Sequence, residues 1–474
     1  DRMAAVLMLS LLMLLSINMK AQCPDYGPKK TVGSSFHSSL IIDSANIVRY
    51  WGDAMSADGL AGDVLSPLTL TGYTGTPVAV AAGSNSTTDH QHYLLTTTGL
   101  YGWGYSTNTI ISGTAGDVAL TNMVLPTGIT ASMISFIEAA NGGIAIVTTS
   151  GDVWVKAGTG SICSPAVYGD ATGTLNNNWH HVTTAPGVFL TGVERLSFSG
   201  TAAMALTTSG QVYIWGTRTY LGDGSAMVAN RDRATLIPLS SILPGVSAAD
   251  VNVINFTSGI TLNASEYILS TNGNLYAVGY NNAGQLGQGN TTDLLTWTAV
   301  KDASGTGTLS NIIQLTSNNP FSFNRYSVGV LTSNNIVYLW GTNDRNMAGA
   351  PTGNVLLPRI PDNYNISGAN VSYVKMGGHT TLTFLEGTNK FCYIGHKING
   401  SMGDGTSIQA DVPSFDCYNT PGEYICPAPQ KFCVNPSSND LVATANHATV
   451  LVSDFPSFKY WGEATSSYLT PGLN

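Results

Sequence analysis

One motif recurs along this chain and restricts its fold more than any other feature. Two short apolar strands are joined by a polar turn, and the second strand ends in aromatic-x-Trp-Gly or a relative of it. Eight copies lie at 37–52, 92–104, 144–154, 202–216, 267–279, 326–341, 379–395 and 447–462. Their anchors are Trp51, Trp103, Trp154, Trp215, Val278, Trp340, Ile394 and Trp461. The anchors recur about every 50 to 67 residues, a period that suits a four-stranded blade plus loops. Each copy reads as a hairpin. Val212 and Ile214 alternate with Gln211 and Tyr213, and Ser-Gly, Asn-Gly or Thr-Gly turns favour positive φ. Sheets of this kind expose edges, and stacking them radially limits that exposure. The sequence therefore predicts an all-β propeller of four-stranded antiparallel blades. The tryptophans are expected to pack between blades. The following Gly52, Gly104, Gly216, Gly279, Gly341, Gly395 and Gly462 would allow close backbone approach or positive φ.

More residues repeat after the Trp-Gly. The fifth copy continues into Asn281-Asn282-Ala283-Gly284-Gln285-Leu286-Gly287-Gln288-Gly289. The fourth has Leu221-Gly222-Asp223-Gly224 and the seventh Met402-Gly403-Asp404-Gly405, while Met376-Gly377-Gly378-His379 opens the seventh. The stretch 273–290 resembles the repeat of the regulator of chromosome condensation family. The resemblance covers most of residues 37–462 and is degenerate in the third and sixth copies. It implies a seven-bladed propeller. Kelch and WD-type propellers do not account for the Gly-Gln-Leu-Gly run.

Eight anchors exceed seven blades. Cys23 and His37 precede Trp51 by the same distances at which Cys433 and His447 precede Trp461. Residues 23–425 are therefore expected to form one seven-bladed ring. Residues 426–474 would begin a further repeat unit, the alternative being a closing strand or eighth blade.

Ala4 to Ile17 is an apolar block of signal-peptide length, too short for the ~20 residues of a membrane span. Residues 1–22 are read as a signal peptide, and the protein as secreted or displayed on the cell surface. Disulfides are then allowed. Cys417, Cys426 and Cys433 crowd together at spacings that miss zinc-knuckle geometry, which favours a local disulfide and leaves the pairing open.

Charged residues are only 10% of the chain and the net charge is −9. With no basic cluster, nucleic acid is not an expected partner, and neither is membrane insertion after signal cleavage. His37, His92, His379 and His447 are read as structural residues at a shared strand-opening position, bonded to a neighbouring turn. The pair His90 and His92, and His180-His181 after Trp179, could line a site, but no metal spacing accompanies either. The Gly-Asp-Gly turns at Asp223 and Asp404 carry one acid each, too few for calcium. No nucleophile elbow, phosphate loop or spaced carboxylate pair is present, so no catalytic residue, cofactor or metal is assigned. The expected function is a binding scaffold for a protein or glycan. Its candidate contacts on inter-strand loops are Tyr105, Trp179, Tyr220, Asn281, Arg345 and Tyr364. The family resemblance also implies two alternatives, an enzyme inhibitor acting through one propeller face and a guanine nucleotide exchange factor. A channel hydrolase or lyase and a segment of a long adhesin are further readings.

Overall fold

The structure is a computed structural model. It describes residues 31–419 apart from several short stretches, together with three strands between residues 441 and 462. Seven four-stranded antiparallel sheets follow one another along the chain, each built from consecutive strands. Blade 1 comprises Val32–Ser34, Ser38–Ile42, Val48–Gly52 and Val64–Thr69. Blade 2 comprises Pro77–Asn85, Asp89–Thr96, Leu100–Ser106 and Gly116–Asn122, and blade 3 comprises Ile134–Ala140, Gly143–Thr148, Val153–Ala157 and Trp179–His181. Blade 4 has Val193–Phe198, Ala202–Thr207, Val212–Thr219 and Val228–Leu236; blade 5 has Val251–Ser258, Ala264–Ser270, Leu275–Gly279 and Leu294–Ala299. Blade 6 has Ile312–Ser317, Ser327–Thr332, Val337–Gly341 and Val355–Arg359; blade 7 has Val371–Met376, Thr380–Leu385, Lys390–Lys397 and Ala410–Asn419.

The first strands of successive blades touch all the way round, and that of blade 7 meets that of blade 1. The amide of Gly378 donates to the Ser35 carbonyl at 3.0 Å across this junction. Second strands such as Gly143–Thr148 and Ala202–Thr207 are buried at every residue. They are covered on both faces by neighbouring blades, which is why they read as unbroken apolar and small-residue runs. Fourth strands such as Val64–Thr69 are half-buried or exposed at every residue but one. The expected seven-bladed, four-stranded propeller is the observed fold.

The tryptophans interlock the blades. Trp51, Trp103, Trp215 and Trp340 are fully buried. Each indole Nε1 donates to a carbonyl in the loop after the third strand of the preceding blade. Trp51 reaches Ser401 at 3.2 Å, Trp103 reaches Met55 at 3.1 Å, Trp215 reaches Val167 at 2.7 Å and Trp340 reaches Gln285 at 2.7 Å. The Gly-Gln-Leu-Gly run is thus a slot for the next blade's indole. A Cβ at Gly284 would lie 2.8 Å from the Leu356 Cα of blade 6, so only glycine admits that approach.

Blade 3 departs from the expected register. Ala145 pairs with Val155, Ile144 with Lys156 and Gly143 with Ala157, whereas in blade 4 Ala203 pairs with Trp215 and Ala202 with Gly216. Lys156, not Trp154, therefore occupies the anchor position, and Trp154 sits where blade 4 has Tyr213. Apolar periodicity cannot separate two positions two residues apart on one strand face. Blades 3 and 5, which lack the anchor tryptophan, carry one on the fourth strand instead. Trp297 donates to the Leu221 carbonyl of blade 4 at 3.0 Å, and Trp179 to the Val124 carbonyl beyond blade 2 at 2.9 Å.

Cys392 and Cys417 face each other across the last two strands of blade 7 and form a disulfide. Cys23, Cys426 and Cys433 lie outside the described residues. The disulfide closes a loop of 25 residues on the outermost strand. Loop-closure entropy then assigns it about 3 kcal/mol. Cys417→Ser, or reduction of the native protein, is expected to lower the urea midpoint by a corresponding amount, with an unchanged midpoint counting against this contribution.

In a separate compact unit, Leu441–Ala443, Ala448–Val452 and Phe458–Gly462 form a three-stranded sheet. Its hairpin pairs Ala448 with Gly462 and Thr449 with Trp461, as blade 1 pairs Ser38 with Gly52 and Ser39 with Trp51.

Candidate functional site

The six candidate contacts do not converge. They are spread over blades 2 to 7, and two are inaccessible. Tyr220 is buried in the core between blades 4 and 5, and burial pushes its hydroxyl up to about 12. Asn281 is fully buried and ties the Gly-Gln-Leu-Gly loop together. Its Oδ1 accepts from Leu286 N at 2.9 Å, and its Nδ2 donates to the Asn290 and Thr292 carbonyls. Asn343 does the same in blade 6 through Ala348 N and the Ala350 carbonyl. Both Asn281 and Tyr220 are thus structural residues, a correction to the sequence reading. Tyr364 is half-buried, its hydroxyl accepting from Val337 N at 3.1 Å. Tyr105 is half-buried on a strand, between His90 and Asp117. Arg345 is exposed, 3.8 Å from Asp411.

Trp179 leads to a denser site. After Ala157 the chain does not turn directly into the fourth strand of blade 3. It first forms a 3₁₀ turn, Pro165–Tyr168, started by a proline and ended by Gly169 at φ 65°. After strand Trp179–His181 it adds a small hairpin, Thr183–Ala185 with Val188–Phe189. Successive side chains alternate across the strand. His180 stacks on Tyr168 at 3.7 Å, and its Nδ1 lies 2.7 Å from Asp170. Burial acts to raise the Asp170 carboxyl, but hydrogen bonds from His180 and Thr172 outweigh it and hold it low. Tyr168 is buried, its hydroxyl donating to the Ala157 carbonyl at 2.8 Å.

On the other face, Trp154, His181 and Phe189 form a three-ring stack with centroid distances of 4.3 and 3.8 Å. Burial lowers the His181 imidazole, opposed by Asp152 at 3.4 Å. Lys156 lies 6.0 Å over the Trp179 ring. Phe189, the outer ring of this stack, is 48% exposed, its hairpin neighbour Val188 is 53% exposed, and Val124, whose carbonyl accepts from Trp179, is 82% exposed. One face of Phe189 is fixed by His181, so the exposed face is held in place before any partner arrives. The sequence marked His180-His181 and Trp179 but not Phe189, because stacking across the added hairpin leaves no periodic signal. Among the described residues, no group of three or more His, Cys, Asp or Glu is arranged to hold a metal.

No protein-family model matches the sequence, and no curated protein is similar to it. Solved structures are. Human WBSCR16 superposes with a TM-score of 0.59 at 17% identity, covering 80% of this chain and 96% of that one. Yeast RCC1 (Prp20), in its structure with Kap60 bound, gives 0.57 at 15% identity, covering 81% and 84%. Prp20p from Saccharomyces cerevisiae, described with its binding properties to Gsp1p and histones, gives 0.57 at 14% identity, covering 80% and 87%. This is the RCC1 fold. At these identities the likeness speaks for the fold alone, and the fold agrees with the one implied by the glycine-rich repeat.

Within this RCC1-type ring, one buried charge is unrelated to the blade 3 surface. Glu266 is fully buried between blades 4 and 5. Burial pushes its carboxyl well above the usual range, opposed only by the Tyr220 N–H, which donates at 2.7 Å, and by the attraction of Arg231. A raised folded value means that the neutral acid suits the fold. Its contribution is complete below about pH 4 and is lost as pH rises through the folded value. Glu266→Gln keeps the acceptor and removes the charge. The variant is expected to melt several degrees above wild type at pH 8 and at the same temperature at pH 4. A variant less stable at pH 8 would contradict this.

Proposed function

We propose that this chain is an exported protein-binding propeller that engages its partner through the blade 3 insertion. The observation that carries the reading is the hairpin Val188–Phe189: both side chains are exposed, and Phe189 rests on the Trp154–His181 stack. Exposed apolar groups on a rigid base are a common mark of protein interfaces, and aromatic anchors held in place cost little entropy on binding. The propeller neighbours support a protein rather than a glycan, since the solved structures of Prp20 concern Kap60, Gsp1p and histones. Export is supported by the apolar block at residues 4–17 and by the Cys392–Cys417 disulfide, which suits an oxidising compartment.

Affinity capture from the surface and secreted proteins of the source cells, with wild type and Val188→Asp/Phe189→Asp in parallel, tests this. A discrete protein retained by wild type and lost at least tenfold with the variant is expected. Equal capture by both, or retention of glycans alone, would overturn the assignment of this surface.

A further inference from the structure

The anchor position of blade 3 holds a cation where other blades hold an indole. Lys156 stands in the place of Trp215 of blade 4. It is half-buried. Its ammonium lies 6.0 Å from the centroid of the Trp179 ring and pairs with no carboxylate or carbonyl among the described residues. By contrast, Lys397 pairs with Asp404, Arg49 with Asp43 and Arg359 with Asp362. His92 Nε2 meets the Ser38 hydroxyl of blade 1 at 2.8 Å, a partner on another blade rather than in a neighbouring turn, while His379 and His447 lie outside the described residues.

The register places this cation on the surface already described. Directly opposed residues of antiparallel strands share a sheet face, as do residues two apart on one strand. Lys156 is opposite Trp179 and Ile144, and Trp154 is opposite His181, so all five lie on one face, the face on which Phe189 stacks. Ile144, Trp154 and Trp179 pack into the core shared by blades 2 and 3. The Lys156 stem therefore runs along apolar surface, and burial lowers its ammonium from the usual lysine range with no neighbouring charge to oppose the shift. Trp154 Nε1, on the same face, is buried and also has no acceptor. The acid of this face, Asp152, is engaged elsewhere: it accepts from the Ser150 hydroxyl at 2.5 Å and lies 3.4 Å from His181. Glu138, opposite Ala145, belongs to the other face.

We propose that the protein partner of blade 3 presents a carboxylate beside an apolar side chain, the apolar group covering Phe189 and the carboxylate pairing with Lys156. This rests on the blade 3 reading and adds the chemistry of the partner. A cation that has lost part of its hydration without gaining a counterion gains a charge-assisted hydrogen bond when such a partner docks. A partner with a basic or purely apolar contact here leaves the cation repelled or more deeply buried and unpaired, so the lysine discriminates among apolar segments. The net charge of −9 does not attract an acidic partner from a distance. Lys156 therefore acts on how long a docked partner is held rather than on how fast it arrives.

A random peptide library displayed on phage is the probe. It is selected on the immobilised full chain, and clones that still bind Val188→Ser/Phe189→Ser, which removes the apolar side chains without adding charge, are discarded. The retained peptides are expected to combine Asp or Glu with an aromatic or aliphatic residue. A synthetic peptide of their consensus should bind Lys156→Met at least tenfold more weakly than wild type, and Lys156→Arg within threefold of it. Methionine keeps the apolar stem, and an unchanged melting temperature shows that the fold is intact. Changing the peptide's acid to its amide should weaken binding to wild type at least tenfold and to Lys156→Met less than twofold; the wild-type arm needs no variant of the protein. Retained peptides without acidic enrichment, or equal binding by wild type and Lys156→Met, would overturn the role of the lysine and leave the blade 3 surface standing. If no selected peptide depends on Val188 and Phe189, the blade 3 reading itself fails, and this inference with it.

Discussion

Replacing Trp340 by alanine is expected to cost about 4 kcal/mol of stability, with the loss concentrated where blade 6 meets blade 5. The indole is fully buried, and its Nε1 donates to the Gln285 carbonyl at 2.7 Å. Large-to-small changes of buried aromatics cost about 3–5 kcal/mol through lost transfer energy and the cavity left behind. Here the Gln285 carbonyl also loses a donor, although Tyr267 still donates to it at 3.1 Å. Trp154→Ala is expected to cost less than half as much. Trp154 is half-buried, and its Nε1 finds no acceptor among the described residues. Urea midpoints of the two variants measure the difference, and equal losses would contradict the interlocking role of the anchor.

Gly341→Ala is expected to be nearly as damaging, at about 3 kcal/mol or more. Gly341 has φ 96°, and a Cβ there would lie 2.0 Å from the Tyr326 carbonyl oxygen. That contact is with backbone, so no rotamer relieves it; backbone strain and overpacking combine. The glycine sits at a bulge, where the register between third and fourth strands shifts between Leu339 and Gly341. The same shift occurs at Gly52, Gly104, Gly216, Gly279 and Gly395. Blade 3 supplies the control. Its third and fourth strands pair without a shift, and Ala157 takes the glycine's place. Ala157→Gly should therefore cost only about 0.5–1 kcal/mol, the entropy of glycine in a strand. Thermal unfolding of both variants distinguishes the two positions.

These comparisons show where the sequence was readable. The Trp-Gly hairpins and the Gly-Gln-Leu-Gly loop are local patterns enforced by steric need, so hairpins, blades and ring could be read directly. The position of Lys156 was readable as well, from the turn rather than from the aromatic spacing: Thr148-Thr149-Ser150-Gly151 matches Thr207-Thr208-Ser209-Gly210, and counting from it sets Lys156 in the place of Trp215. Asn281 carried a signal of polarity on a loop. Its burial arises because the following loop folds over it to form the next blade's slot. Phe189 gave no signal because its stacking partner His181 lies across an added hairpin, which follows no periodic pattern.

The functional account rests on the exposed hairpin of blade 3. Once a partner has been captured, its footprint on the propeller, mapped by hydrogen exchange, gives the most direct test. Protection is predicted around Met133, in the turn 148–152 and along Trp179–Phe189, with blades 5 and 6 unchanged. Protection confined to the loops of blades 5 and 6, with Val188 and Phe189 as exposed as in the free protein, would contradict it.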